Sequence, residues 1–311
     1  MERRVEARIA AEPLAVLGVP DEGLKRLLRE APPRPGGVSP DSFGPALLER
    51  LAAETPETQA VTGLLRVLEP ALAKLYPADL ASYGLSVRDR VGTRSGHPLR
   101  AVVDGLAAAL GTPAFEVYVH GHPHATPRVE LGATALLLVP EDVLQLSRSA
   151  LVFLLTKALV QVARRVPALA KLTPREIEVV LAAAARHVKP EFGRGLTGED
   201  VLADQSRRLF KALPRRQRKA FEEAARAYVE AGRVDFPAFH RRADRLAARV
   251  AALVADDLAA SVRMLVRGQR DLQGREGKEL LDEGSAAREL VTFWASGAAL
   301  QLRQHAGLIT S

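Results

Sequence analysis

The chain has 311 residues, of which 47% are hydrophobic and 26% charged, a composition typical of globular proteins rather than disordered or fibrous ones. It contains no cysteine, which excludes disulfides, thiolate zinc sites, iron–sulfur clusters and cysteine catalysis. The formal net charge of +7 favours nonspecific contact with nucleic acid but identifies no partner.

Apolar runs in the chain are all shorter than a membrane helix needs, which is about 20 residues. Charged residues alternate with apolar ones from Glu2 to Arg8, so the start carries no signal-peptide core. We therefore expect a cytoplasmic protein with no membrane insertion. No motif in the sequence indicates a bound cofactor.

The N-terminal part of the chain is predicted to be helical. Residues 1–30 have apolar positions at helical spacing, and the same pattern resumes from Ser42 to Leu75. The Pro- and Gly-rich residues 32–37 between them predict a linker. We interpret residues 1–60 as an N-terminal helical segment and residues 61–311 as a mainly helical domain.

The centre of the chain contains the sheet. An amphipathic helix is predicted over Leu99–Leu110, with Gly111 as its C-cap. Phe115–His120 alternates and is rich in β-formers, and Arg128–Val139 predicts a second and a third short strand. This is the only convincing β region of the sequence.

After Pro140 the pattern is helical almost throughout. Thr173 and Glu176 form a capping-box signature at the start of one of these helices. The predicted helices span residues 144–166, 174–188, 198–213, 215–231, 237–267 and 290–305. The fold class is therefore α+β and predominantly α-helical, with a small antiparallel or mixed sheet at about residues 115–140 packed among helices.

The order of helix, short sheet and long apolar helix resembles the HtpX-like zinc metallopeptidases, which are gluzincins. The matching segments are residues 98–110, 113–119, 135–140 and 149–162. The resemblance covers roughly residues 95–260 and implies a metallopeptidase-like fold for the domain.

In that family two histidines one helical turn apart bind zinc, and the glutamate beside the first activates water. Here the first ligand position is Lys157, the general-base position is Ala158 and the second ligand position is Gln161. The third ligand falls within residues 240–257, where Asp244 is the nearest acidic candidate. An ammonium does not ligate zinc and alanine offers no base, so the resemblance implies that the peptidase chemistry is lost.

A second resemblance is to Ala- and Arg-rich bacterial proteins without an established activity, some of them joined to tetratricopeptide repeats. It rests on residues 171–186, 211–224 and 250–260, and it implies a non-catalytic role. The leading hypothesis is a scaffold or interaction protein with an unidentified protein partner. Its former cleft is filled by Leu155, Leu159 and Lys157, or it binds a partner peptide by strand addition.

Lys157 has two interpretations, because it lies among leucines of the long apolar helix. A desolvated lysine can act as a nucleophile or form a Schiff base. The other interpretation is a snorkelling or ion-paired lysine on the exposed edge of the helix. We expect the second.

Two alternatives to the leading hypothesis remain open. A nucleic-acid-binding protein would use a basic segment and the arginines of residues 241–249. The residues of that basic segment are Lys211, Arg215, Arg216, Arg218 and Lys219. A solvated loop and helix start is the simpler interpretation of these charges.

A metalloenzyme with noncanonical ligands would use His120, His122 and His124, because neutral imidazoles in a tight turn can bind transition metals. No cysteine or acidic cluster completes such a site. The simpler interpretation is an exposed turn after a strand, shaped by glycine and proline. We therefore assign no metal to the chain.

Overall fold

A computed structural model describes residues 2–19, 21–123 and 125–309. These residues form helices around a three-stranded mixed sheet, which confirms the predicted α+β, predominantly helical class. Within the described ranges, no helix has the length and apolar character needed to cross a membrane.

The described residues contain fourteen α-helices, most of them beginning near the predicted positions. They are α1 (Glu2–Val16), α2 (Glu22–Glu30), α3 (Pro45–Ala52), α4 (Pro56–Leu75), α5 (Pro98–Leu110), α6 (Arg148–Ala163), α7 (Ala168–Lys171), α8 (Pro174–Ala185), α9 (Glu199–Ala212), α10 (Arg218–Ala231), α11 (Phe236–Ala255), α12 (Leu258–Gly268), α13 (Ala286–Trp294) and α14 (Gly297–His305). The capping box at Thr173 is present at the start of α8, and Gly111 ends α5 in the left-handed conformation.

The sheet consists of β1 (Phe115–His120), β2 (Arg128–Glu130) and β3 (Ala135–Pro140), with β3 in the centre. β3 runs parallel to β1 and antiparallel to β2, so the sheet is mixed. All residues of β3 are buried, which explains why its sequence is continuously apolar rather than alternating.

The core is organised around α6 and α11, which pack along each other. Most of α6 is buried, and its uniform hydrophobicity follows from contacts on several sides. The C-terminal half of α11 is buried as well and is rich in alanine. Small side chains let two helix backbones approach closely, so this pair forms a compact frame for the residues between them.

Two helices that the sequence predicts as continuous are interrupted. Asp256 has a left-handed φ of 51° and ends α11, and the side chain of Asp257 then accepts from Ala260 N at 2.8 Å to begin α12. In the C-terminal helix, Ser296 accepts from Ala299 N at 3.2 Å and begins α14. Asp and Ser at these positions favour helix ends, because their side chains compete for backbone hydrogen bonds.

The segment predicted as a linker is held against α11 by backbone contacts. Gly36 N donates to Val254 O at 2.8 Å, and Arg34 N donates to Asp256 Oδ2 at 2.9 Å. Apolar residues from both sides of residue 60 belong to one core cluster. The division of the chain at residue 60 stays a prediction.

Helix α1 is fixed by buried polar groups. Arg8 donates to both carboxylate oxygens of Asp256 at 2.8 Å and also pairs with Glu12. Glu12 Oε2 accepts from Leu258 N at 2.8 Å, so it satisfies an amide at the start of α12. These contacts join the first helix of the chain to the junction between α11 and α12.

Candidate functional site

The residues assigned to the former metal site lie around one cavity. Lys157, Ala158 and Gln161 of α6 line it together with Asp244 of α11. The cavity has a volume of about 230 Å³ and is also lined by α7, β2 and the C-terminal end of α12. Positions i and i+4 lie on the same face of a helix, which explains why residues 157 and 161 reach the same space.

Lys157 and Asp244 form an ion pair across the cavity. The distance between Lys157 Nζ and Asp244 Oδ1 is 2.5 Å, and the two side chains are 27% and 38% exposed. An ammonium is a hydrogen-bond donor only. Lys157 is thus an ion-paired lysine at a solvent-accessible edge of α6, as the second of its two interpretations predicts.

Gln161 connects α6 to α11 from a buried position. Its Nε2 donates to Ala243 O at 3.0 Å, which fixes the orientation of the amide. Its Oε1 is buried and has no hydrogen-bond partner among the described residues. Buried acceptors are normally paired, so this oxygen is an unusual feature of the cavity wall.

His240 is a cavity residue that the sequence does not identify as one. Its Nε2 lies 2.9 Å from Leu169 O, so this nitrogen carries the ring proton and donates to the carbonyl. It stands one helical turn before Asp244 on α11, and that i,i+4 spacing is the only local signal for it. The other side of the cavity is formed by Arg128 and Val129 of β2, the strand at one edge of the sheet.

The two leucines that the leading hypothesis places in the cleft lie elsewhere. Leu155 and Leu159 are fully buried in the core cluster and do not line the cavity. Its wall combines small side chains such as Ala158 and Ala247 with larger apolar ones, namely Leu154, Leu169, Met264 and Leu265. Lys157, the third residue of the filling alternative, does line the cavity, and binding of a partner peptide there stays a prediction.

The histidine cluster forms a different kind of contact. His120 is buried, its Nδ1 accepts from His122 N at 3.2 Å, and both rings pack near Tyr83. Burial lowers the pKa of His120, and the neighbouring His122 lowers it further, which outweighs the opposite effect of Asp142. With Nδ1 as acceptor, Nε2 of His120 carries the proton and offers no lone pair.

His124, the third histidine of that cluster, lies outside the described residues. In the ranges that the structure describes, no three or more His, Asp or Glu side chains are grouped so that they could hold a metal ion. The assignment of no metal to the chain stays a prediction, with the histidine cluster as the alternative.

The basic segment lies on the surface at the end of α9 and the start of α10. Arg218 packs its guanidinium 4.6 Å from the ring centroid of Phe210. The other four cations are exposed and form no ion pair with any residue in the described part of the chain; they are Lys211, Arg215, Arg216 and Lys219. These charges are available to an anionic partner, and nucleic-acid binding stays a prediction.

The arginines of residues 241–249 are distributed differently. Arg242 donates to Ala53 O at 3.0 Å, and Arg245 pairs with Glu289 at 2.5 Å. Arg242 is exposed and keeps its charge at the surface, so nucleic-acid binding by this stretch also stays a prediction.

Comparison with known proteins identifies no relative. No protein-family model, curated protein or solved structure matches the chain.

Proposed function

We propose that the protein is a non-catalytic interaction protein whose cavity between α6 and α11 is the former active site of a metallopeptidase-like scaffold. The observation that carries the proposal is the convergence of four residues on one cavity. Lys157, Ala158, Gln161 and Asp244 are the positions that the resemblance assigns to the ligands and the general base.

The side chains at these positions do not suit a zinc ion. Zinc needs lone pairs from imidazole, thiolate or carboxylate, and the Lys157 ammonium has none while it pairs with Asp244. Ala158 provides no group that accepts a proton from water. The ammonium instead supplies a positive charge beside the Asp244 carboxylate, so the pair is neutral without a metal.

The proposed partner is an extended segment of another protein. The cavity is bordered by β2, which lies at the edge of the sheet, and edge strands can accept a further strand through main-chain hydrogen bonds. Its volume of about 230 Å³ is sufficient for one apolar side chain of such a segment. The unpartnered Gln161 Oε1 adds an acceptor to the wall.

The proposal is tested by restoring the assigned residues. The restored variant carries four substitutions: Lys157→His, Ala158→Glu, Gln161→His and Asp244→Glu. This variant and the native chain are purified without a metal resin, and the zinc content of each is measured by mass spectrometry. We expect less than about 0.1 zinc per native chain and about one per restored chain. The control carries the same three α6 substitutions with Asp244→Asn, and we expect it to lose most of this zinc.

Two outcomes contradict separate parts of the proposal. One tightly held zinc per native chain would show that the protein is not a metal-free interaction protein. A restored variant that folds normally by circular dichroism, yet holds no more zinc than its Asp244→Asn control, would reject the metallopeptidase-like scaffold.

A further inference from the structure

A second cavity, of about 340 Å³, lies beside α8 and is lined by the loop that follows α8 and by the loop between α10 and α11. Its apolar wall is formed by Phe192, Leu196, Tyr228, Val234 and Phe236. We call it the α8 cleft. Its volume is within the range of about 300–1,000 Å³ that small-molecule sites occupy.

Tyr228 brings an unused polar group to the α8 cleft. The residue is only 4% exposed, its ring centroid lies 5.6 Å from that of Phe192, and its hydroxyl forms no hydrogen bond with any described residue. Burial raises the pKa of Tyr228, and Glu178 raises it further, so the hydroxyl keeps its proton. Although the residue is buried, its hydroxyl oxygen is itself accessible at the cleft. A ligand in the cleft is therefore offered an O–H donor.

The loop after α8 is fixed in place by contacts with that helix. Arg186 Nε donates to Phe192 O at 3.0 Å, and Arg175 also donates to a carbonyl of the loop. Gly193 has φ +73°, and a Cβ there would lie 2.8 Å from the Cβ of Ala182. The close approach of loop and helix thus requires glycine, and this wall of the cleft is preformed.

The charge at the α8 cleft is positive. Arg194 and Arg233 line it from the two loops, both are exposed, and neither has an ion-pair partner among the residues described. Glu178 also lines the cleft, but it is paired with Arg175 at 2.7 Å. Two unpaired guanidinium groups favour a carboxylate or phosphate, which they bind through paired hydrogen bonds.

We propose that the α8 cleft binds a small organic anion, a carboxylate or phosphate ester with an apolar or aromatic body. The body packs against Phe192 and Phe236, the Tyr228 hydroxyl donates to a ligand oxygen, and Arg194 and Arg233 bind the anionic group. The site is lined by residues other than those of the α6–α11 cavity, so it is independent of the function proposed above.

The full chain is titrated with phenyl phosphate and with benzoate, and binding is followed by calorimetry. We expect saturable binding of at least one of them with a dissociation constant of about 1 mM or tighter. Neutral benzyl alcohol probes the aromatic body of the ligand alone, and inorganic phosphate probes its anionic group alone. Each of them should bind at least about tenfold more weakly, because it lacks either the charge or the apolar body.

Three variants localise the binding. Arg194→Gln with Arg233→Gln should weaken phenyl phosphate binding about tenfold or more, and Tyr228→Phe should weaken it about threefold to tenfold. The control is Arg226→Gln with Arg263→Gln, which removes the same charge from exposed positions outside the cleft and should leave binding unchanged. Circular dichroism and thermal unfolding verify the fold of each variant.

The absence of saturable binding of both aromatic anions up to about 10 mM would overturn the proposal. Equal affinity for inorganic phosphate would also overturn it, since that would be general attraction to charge. The proposal would be overturned as well if the Arg226→Gln, Arg263→Gln control lost as much binding as the Arg194→Gln, Arg233→Gln variant.

Discussion

Two ion pairs join α11 and its C-terminal end to helices far away in the sequence, and they differ in their exposure to water. Arg8 and Asp256 are buried, with side chains 1% and 8% exposed. Lys157 and Asp244 retain 27% and 38% of their side-chain exposure and lie on a cavity. Both pairs have short contacts, so distance alone does not distinguish their roles.

The difference in burial determines what each pair does. A buried charge that loses its partner keeps the full cost of desolvation, so the Arg8 pair must be intact in the folded protein. A half-exposed pair is screened by water and salt, and either partner can be solvated if the other is taken away. Breaking the first pair therefore destabilises the fold, whereas the second is suited to exchanging its partner for a bound ligand.

The largest expected effect tests the buried pair. Asp256→Asn keeps the size of the side chain and tolerates the left-handed backbone at this position, but it removes one of the two carboxylates that face Arg8, the other being Glu12. We expect a loss of about 3–5 kcal/mol in the free energy of unfolding, measured by urea denaturation.

The adjacent residue provides the control for this substitution. Asp257 caps α12 through Ala260 N, and asparagine is an equally good cap, so Asp257→Asn should cost less than about 1 kcal/mol. If Asp256→Asn and Asp257→Asn lost similar amounts of unfolding free energy, the buried carboxylate of Asp256 would matter no more to stability than a helix cap.

The free energy of unfolding is expected to depend on pH through Glu12. Burial raises the pKa of Glu12 from 4.5 to about 7, although Arg8 and the hydrogen bond from Leu258 act in the opposite direction. In the unfolded chain Glu12 releases its proton near pH 4.5, which is a lower pH than in the folded chain. The stability that this residue contributes is therefore complete below pH 4.5 and is lost as pH rises through about 7.

This loss amounts to about 3 kcal/mol, and Glu12→Gln should remove it. Urea denaturation at about pH 5 and about pH 8 provides the comparison between the native protein and the variant. Glu6→Gln, on the exposed side of the same helix, should behave like the native protein. If the stability of Glu12→Gln depended on pH as the native protein's does, groups other than Glu12 would cause that dependence.

Local sequence patterns predict much of the fold but little of its long-range detail. The apolar run of α6, the β-rich segment of β1 and the capping box at Thr173 are encoded by neighbouring residues, and the structure contains all three. The break at Asp256 is different, because the carboxylate is held by Arg8 from the other end of the chain. Helical periodicity does not report such a partner.

The cavities show the same limit. Lys157 and Asp244 are assigned to one site through a family resemblance, and the geometry places them in contact. The unpartnered hydroxyl of Tyr228 has no comparable signal, because its surroundings are made by the folded path of two loops. A tyrosine in an amphipathic helix simply predicts a core residue.

Removal of the Lys157 charge is expected to have the smallest effect on stability. Lys157→Met keeps the length and packing of the side chain but removes its charge, leaving Asp244 accessible to water. We expect a change of less than about 1 kcal/mol in the free energy of unfolding, since half-exposed pairs contribute little. High salt should reduce the difference further. A loss as large as that of Asp256→Asn would mean that the pair holds α6 and α11 together, and the cavity would then be part of the structural core rather than a site for a partner.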